Sequence, residues 1–206
     1  MIIGVTGKPG SGKDTIAKTL VEKYNFFQAE LKTAIERTIH ATFGIPMSII
    51  RTRELREIPL REAGFYSESL DCRTWTVRKL MQWVGQTYRE AFGQDIWPVT
   101  LWRDLNSVSD SEIKRYPHVV ISDIRTQRDA TYFKEMMDAF GGRFLLILVD
   151  RPGCGSTTAG GFKNHPLESH DLSNLADIII HNEGTIDDLY AKVDDIVTAE
   201  GSTWLS

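Results

Sequence analysis

The sequence predicts an α/β protein, a three-layer α/β/α sandwich built on a parallel sheet of five strands with helical segments inserted between them. Three observations lead there. Short β-branched apolar runs alternate with stretches of helical spacing from one end of the chain to the other, the pattern of strands covered on both faces. The first such run, Ile2-Ile3-Gly4-Val5-Thr6, passes through a glycine-rich loop straight into a helical pattern. With 206 residues and a 41% hydrophobic share, the chain can bury one sizeable core.

The loop is Gly7-Lys8-Pro9-Gly10-Ser11-Gly12-Lys13-Asp14-Thr15, with the spacing of a Walker A motif. Glycines let backbone N–H groups curl round an anion, and the helix behind adds its positive end. Lys13 supplies a full charge. A tight strand-to-helix turn would need no more than the glycines, but strand, loop and helix occur here in the order that phosphate binding requires. The fold class narrows to a P-loop NTPase, with Gly7, Lys8, Gly10, Ser11, Gly12, Lys13 and Thr15 as phosphate-binding positions. One position departs from the motif. Where Ser or Thr normally follows the lysine stands Asp14, and the hydroxyl comes at Thr15. A carboxylate beside phosphates repels them unless a cation lies between, so Asp14 reads as a Mg²⁺ ligand, direct or through water, or as an acceptor for a substrate group. A plain first-turn acid favoured by the helix dipole is the alternative.

After the first helix, residues 25–28 read as a second strand and 31–43 as a helix stopped by Gly44 and Pro46. Lys32 sits at that strand-to-helix handover, on the edge of the sheet where ligands bind. Residues 51–71 change character, crowding Arg51, Arg53, Glu54, Arg56, Glu57, Arg61 and Glu62 around Pro59 with little apolar periodicity. This is the pattern of a solvated insertion, and a flap closing over substrate is the minority reading. From Trp75 to Gly85 a helix presents Val77, Leu80, Met81 and Val84 on one face and Arg78, Lys79 and Gln82 on the other. A second helix over 94–105 carries Trp97, Leu101, Trp102 and Leu105, a stripe that reads as core with Trp97 placed to break the rule.

The run His118 to Arg125 reads as a buried strand that Asp123 closes, the usual place for a group that organises Mg²⁺ or its waters, with Arg125 just beyond. A surface ion pair between these two is the bland alternative. A helix over 127–140 buries Ala130, Phe133, Met137 and Phe140, and Phe144 to Val149 is the fourth strand. It empties into Arg151-Pro152-Gly153 and a loop running to 172, long for a compact domain and so a candidate lid containing Lys163. Residues 176–181 form the fifth strand. Thr185 to Asp188 caps a last helix whose Ile186, Leu189, Tyr190, Val193, Ile196 and Val197 are expected to face the sheet.

Cys72 and Cys154 stand far apart and give no disulfide framework, and Cys154, His165, His170 and His181 match no common zinc spacing. A net charge of -4 argues against a general affinity for nucleic acid. No apolar run is long enough for a bilayer and no secretory signal is visible, so a cytoplasmic protein with no membrane partner is expected.

The order of motifs is similar to that of bacteriophage deoxynucleoside monophosphate kinases. The residues concerned are the GxxxxGKDT loop, the Val77-Arg78-Lys79-Leu80-Met81-Gln82-x-x-Gly85 helix, the Trp97 segment and the Ser122-Asp123-x-Arg125 strand end. Arg151-Pro152-Gly153 and His165-Pro166-Leu167-Glu168 complete the series. The resemblance implies ATP-dependent phosphorylation of a deoxynucleoside 5′-monophosphate, with Mg²⁺, by a single P-loop kinase domain over 1–206. Residues 44–106 would be a helical acceptor-binding insertion and 151–172 a lid-like loop. Lys13 and the loop amides would hold the donor phosphates, and Asp14, Thr15 and Asp123 would serve the metal. Arg78 and Lys79 would bind the acceptor phosphate and Trp97 its base or sugar, with Lys32 and Gln82 alongside. Lys13, Asp14, Arg125 and Arg151 form the catalytic set, the two arginines stabilising charge on the transferring group. In the host cell's cytoplasm the partners would be nucleotides, and the aromatic content leaves a homodimer open. Two other readings stay in view: a P-loop kinase for another acceptor, such as dephospho-coenzyme A or a phosphorylated isoprenoid precursor, and a nucleotide-switch ATPase that transfers nothing. Against the switch, no Asn-Lys-x-Asp guanine-reading motif is present.

Overall fold

A computed structural model describes residues 1–64, 75–107, 116–154 and 171–204. Among them, β1 (Ile2–Gly7), β2 (Phe26–Ala29), β3 (His118–Ile121), β4 (Phe144–Asp150) and β5 (Ile178–His181) form one sheet in the order β2-β3-β1-β4-β5. Every pairing is parallel, with Ile2 opposite both Val119 and Phe144. The expected fold class holds. Alternation along each strand sends neighbours to opposite faces, so Ile3, Leu145 and Ile147 join one buried cluster while Ile2, Phe144 and Leu146 join another. The first cluster is closed by α1 (Lys13–Tyr24) and α7 (Ile186–Trp204), through Ile16, Leu20, Leu189 and Val193. The second is closed by α2 (Lys32–Phe43), α4 (Val77–Phe92), α5 (Ile96–Asn106) and α6 (Gln127–Ala139). Two apolar layers on one sheet make three layers of structure.

Local chemistry sets the ends of the helices. Gly44, at φ 67, closes α2 in the left-handed region. The Thr76 hydroxyl accepts the amide of Lys79 to start α4, and Thr126 and Asp129 exchange hydrogen bonds in a capping box that starts α6. The cap expected at Thr185 is present too, its hydroxyl accepting from the Asp188 amide at 3.2 Å while Asp188 accepts the Thr185 amide at 2.7 Å. A short helix, α3 (Met47–Arg51), and a 3₁₀ turn (Leu55–Glu57) lie where no periodicity foretold them.

Several expectations need correction. Ile186 and Tyr190 are exposed, because α7 packs on α1 through a narrower stripe and ties itself there by Asp194 accepting from Tyr24 Oη at 2.6 Å. Phe140 is exposed as well, standing one residue beyond α6 with its ring only 5.5 Å from Trp102. The charged segment is not uniformly solvated: Arg51 and Arg53 face water, but Arg56 and Glu57 are half-buried. The candidate-lid residues 155–170, with Lys163, His165, His170 and the His165-Pro166-Leu167-Glu168 motif, fall outside the described residues, as does Cys72.

Candidate active site

The C-terminal ends of β1, β3, β4 and β5 open on one cavity of about 730 Å³. Gly7 ends β1 at φ 146, with no room for a Cβ, which would meet the Val149 carbonyl oxygen at 2.5 Å. Gly12 stands before α1 at φ 105, where a Cβ would meet Asn182 Nδ2 at 2.6 Å. Asn182 explains that crowding. Buried just after β5, it donates from Nδ2 to the Ser11 carbonyl at 2.7 Å and so pins the loop. Ser11 is fully buried, Cys154 Sγ donates to the Gly10 carbonyl at 3.1 Å, and Lys13 opens α1 facing the cavity.

The wall continues from the loop to α4. Eight cationic side chains among the described residues line it: Lys8, Lys13, Lys32, Arg56, Arg78, Arg89, Arg125 and Arg151. Three carboxylates, Asp123, Asp150 and Asp171, oppose them. In a chain that is acidic overall, eight cations against three carboxylates on one wall suit a polyanionic ligand. Of the residues expected in the site, Gly7, Lys8, Lys13, Lys32, Arg78, Gln82, Trp97, Asp123, Arg125 and Arg151 meet on this wall. Gly10, Ser11 and Gly12 belong to the loop but do not line the cavity, and Asp14 and Thr15 lie on the first turn of α1 outside the wall, Asp14 exposed. Lys79 is half-buried on α4 and does not line the cavity.

Three of these residues have occupations that spacing did not foretell. Asp123 accepts the amides of Leu31 at 2.7 Å and Lys32 at 3.0 Å, capping α2 across the sheet where that helix has no cap of its own. Burial pushes its carboxyl up, against the pull of Arg125. Lys32 Nζ donates to Glu30 Oε1 at 2.7 Å. Trp97 is 3% exposed, donates Nε1 to the Gly85 carbonyl at 2.9 Å and stacks on Tyr88 at 5.3 Å, so only its ring is offered to the cavity. Gln82 Oε1 is buried on the cavity wall without a hydrogen-bond partner.

Other residues escaped the reading altogether. Arg89, 4% exposed on α4, donates to Asp129 at 2.8 Å; Asp129, wholly buried at the start of α6, also accepts the amides of Thr126 and Arg125. That pair therefore ties α4 to the backbone that carries Arg125. Its partners lie 40 residues apart, and neither has a spacing that would announce it.

The deoxynucleotide monophosphate kinase family profile matches residues 61–193. A protein of Acanthamoeba polyphaga mimivirus described as a putative deoxynucleotide monophosphate kinase is 30% identical over 210 residues, covering 94% of each chain. The chain belongs to the deoxynucleotide monophosphate kinase family. Among solved structures, shikimate kinase from Aquifex aeolicus is similar over 98% of both chains at 13% identity, with a TM-score of 0.44. The APS kinase CysC of Mycobacterium tuberculosis in complex with AMPPNP and APS is similar over 96% of both at 11% identity, with a TM-score of 0.39. Among its described residues this deoxynucleotide monophosphate kinase has no helix long and apolar enough to cross a membrane.

Of the three residues expected to serve Mg²⁺, Asp123 alone lines the cavity. No cluster of three or more His, Cys, Asp or Glu side chains that could cage an ion occurs among the described residues. Mg²⁺ asks for less, one or two oxygen ligands plus substrate phosphates and water. Asp14 and Thr15, on the first turn of α1, and Asp123, whose oxygens already accept the Leu31 and Lys32 amides, would be the residues to supply them.

Proposed function

We propose that this protein transfers the γ-phosphoryl group of ATP to the 5′-phosphate of a deoxynucleoside monophosphate, in one cavity that receives donor and acceptor from opposite ends. The observation that carries this reading is the continuity of the P-loop with a wall of arginines reaching α4. Donor phosphates lie on the loop amides and Lys13. Residues 44–106 form the acceptor side: Arg78 holds the acceptor phosphate with Lys79 and Lys32 near by, Gln82 offers its amide oxygen to the nucleoside, and the Trp97 ring gives an apolar contact. Arg125 and Arg151 spread the charge that builds on the transferring group. Asp14, Thr15 and Asp123 serve Mg²⁺, which when bound offsets charge between the donor phosphates.

Phosphoryl transfer asks little covalent help of a protein. Alignment of the two phosphates and neutralisation of their repulsion account for most of the rate, and an excess of cations over carboxylates is what such a site needs. The test is ADP release from ATP and Mg²⁺ with each common deoxynucleoside and ribonucleoside monophosphate in turn, dephospho-coenzyme A being the outgroup. Stimulation by one or more deoxynucleotides, with the matching diphosphate as product, is expected. A flat panel over slow hydrolysis would sink the reading. Arg78 gives a sharper check, because its Nε is held by Glu57 and its two terminal nitrogens remain for phosphate. Arg78→Ala should raise the acceptor KM about 10–100-fold, the cost of a lost charged hydrogen bond. The ATP KM should stay within about twofold; equal effects on both would remove Arg78 from the acceptor side.

A further inference from the structure

Arg56 belongs to the charged segment whose pattern reads as solvated, yet its side chain is only 17% exposed and lines the cavity beside Arg78 and Arg125. Its guanidinium is fixed on the protein side. Nε donates to the Ile50 carbonyl, Nη2 donates to the Arg51 carbonyl at 3.4 Å, and Nη2 lies 3.5 Å from Glu36 Oε1. Glu36 is itself 1% exposed on α2, and Arg51 Nε donates to its other oxygen at 3.2 Å. Two cations therefore share one buried carboxylate, whose Oε1 has no hydrogen-bond partner. Burial lowers the Arg56 pKa from the ordinary arginine value, Glu36 opposes that, and Arg78 and Arg125 add to it by repulsion. Glu36 and Glu57 pair with Arg56 and Arg78, and the three arginines together on the cavity wall still favour an anion on the cavity side.

Which anion follows from where Arg56 stands. The 3₁₀ turn that carries it packs on α3 and α4, the helix that carries Arg78. Arg56 also walls a second cavity, of about 510 Å³, with Lys32, Glu36 and Leu101, and no P-loop residue lines that one. We propose that Arg56 is a further guanidinium ligand of the acceptor 5′-phosphate, beside Arg78, and that Glu36 is the positioning residue that holds it there. The inference rests on the kinase reading above and assigns part of the charged segment to substrate binding.

The test compares wild type, Arg56→Ala, Arg56→Lys and Glu36→Gln, using the best acceptor of the nucleotide panel and varying acceptor and ATP separately. Calorimetry then measures binding of that deoxynucleoside monophosphate and of its deoxynucleoside. Arg56→Ala should raise the acceptor KM about 10–100-fold with the ATP KM within about twofold. Binding of the deoxynucleoside, which lacks the phosphate, should not change. Arg56→Lys keeps stem and charge but loses the planar fork, and should recover part of the affinity. Glu36→Gln should raise the same KM by a smaller factor and leave kcat and the ATP KM in place. The proposal is overturned if the acceptor KM is indifferent to Arg56→Ala, if the ATP KM rises equally, or if deoxynucleoside binding weakens as much as nucleotide binding. A wild type inactive with every deoxynucleotide would instead bring down the kinase reading, whereas an active wild type with an indifferent Arg56→Ala brings down this inference alone.

Discussion

Replacing Lys13 with Ala should lower kcat by about 10³-fold or more while the fold stays intact, since a cation on the transferring phosphates is worth that order in this chemistry. Lys13 is the first residue of α1, with its side chain turned to the cavity. Alanine is a good helix former, and the loop is held by contacts other than that side chain, among them the bond from Asn182 to the Ser11 carbonyl. Catalysis and stability should therefore separate. The check is ADP release with the best acceptor beside a thermal melt of the same preparation. A melting temperature equal to wild type with turnover gone is the expected result. Retained turnover would take the P-loop out of the mechanism.

Asp129→Ala should give the largest loss of stability, about 3–5 kcal/mol, because it strands the charge of Arg89 in a place with almost no access to water. It also removes the acceptor of the Thr126 and Arg125 amides, and with it half of the capping box of α6. For a chain of this length, such a loss lowers the melting temperature by about 6–20 °C. Asp129→Asn keeps an oxygen for the amides and gives up only the charge, so it should fall between alanine and wild type. Denaturant melts of the three proteins decide the matter. An alanine variant as stable as wild type would mean that Arg89 finds water or another acceptor, and that the pair does not fasten α4 to α6.

The parts of the site that were legible beforehand share a physical property: their chemistry is local. The P-loop needs its glycines, lysine and helix start within one short stretch, so the stretch announces itself. The strands are legible because a parallel sheet covered on both faces demands short apolar runs, and the caps at Thr185 and Asp188 because both partners sit within one turn. Arg125 is found by following a strand to its end, whereas Arg78 and Gln82 come from the polar face of a helix and from the family resemblance; all three line the cavity. Reading fails where a residue serves two masters. Asp123 stands where a metal-organising acid belongs, yet its oxygens first satisfy the start of α2, 91 and 92 residues away. Trp97 sits at the start of an aromatic stripe, and its indole nitrogen is already bonded to Gly85.

Local periodicity and motif order alone dictated the alternating α/β fold, the phosphate loop and the family to which the chain belongs. Packing decided the rest. The clasp of Arg51 and Arg56 on Glu36, the Arg89 to Asp129 tie and the Asn182 pin behind the P-loop each join residues from separate elements. A burial that converts an ordinary charged residue into a fixed one leaves no spacing in the sequence, because the partner arrives only when the layers close on the sheet. In the charged segment around Pro59, some arginines stay exposed and another is enclosed. Tertiary contact with α2 chose Arg56 for the cavity and left Arg53 to the solvent.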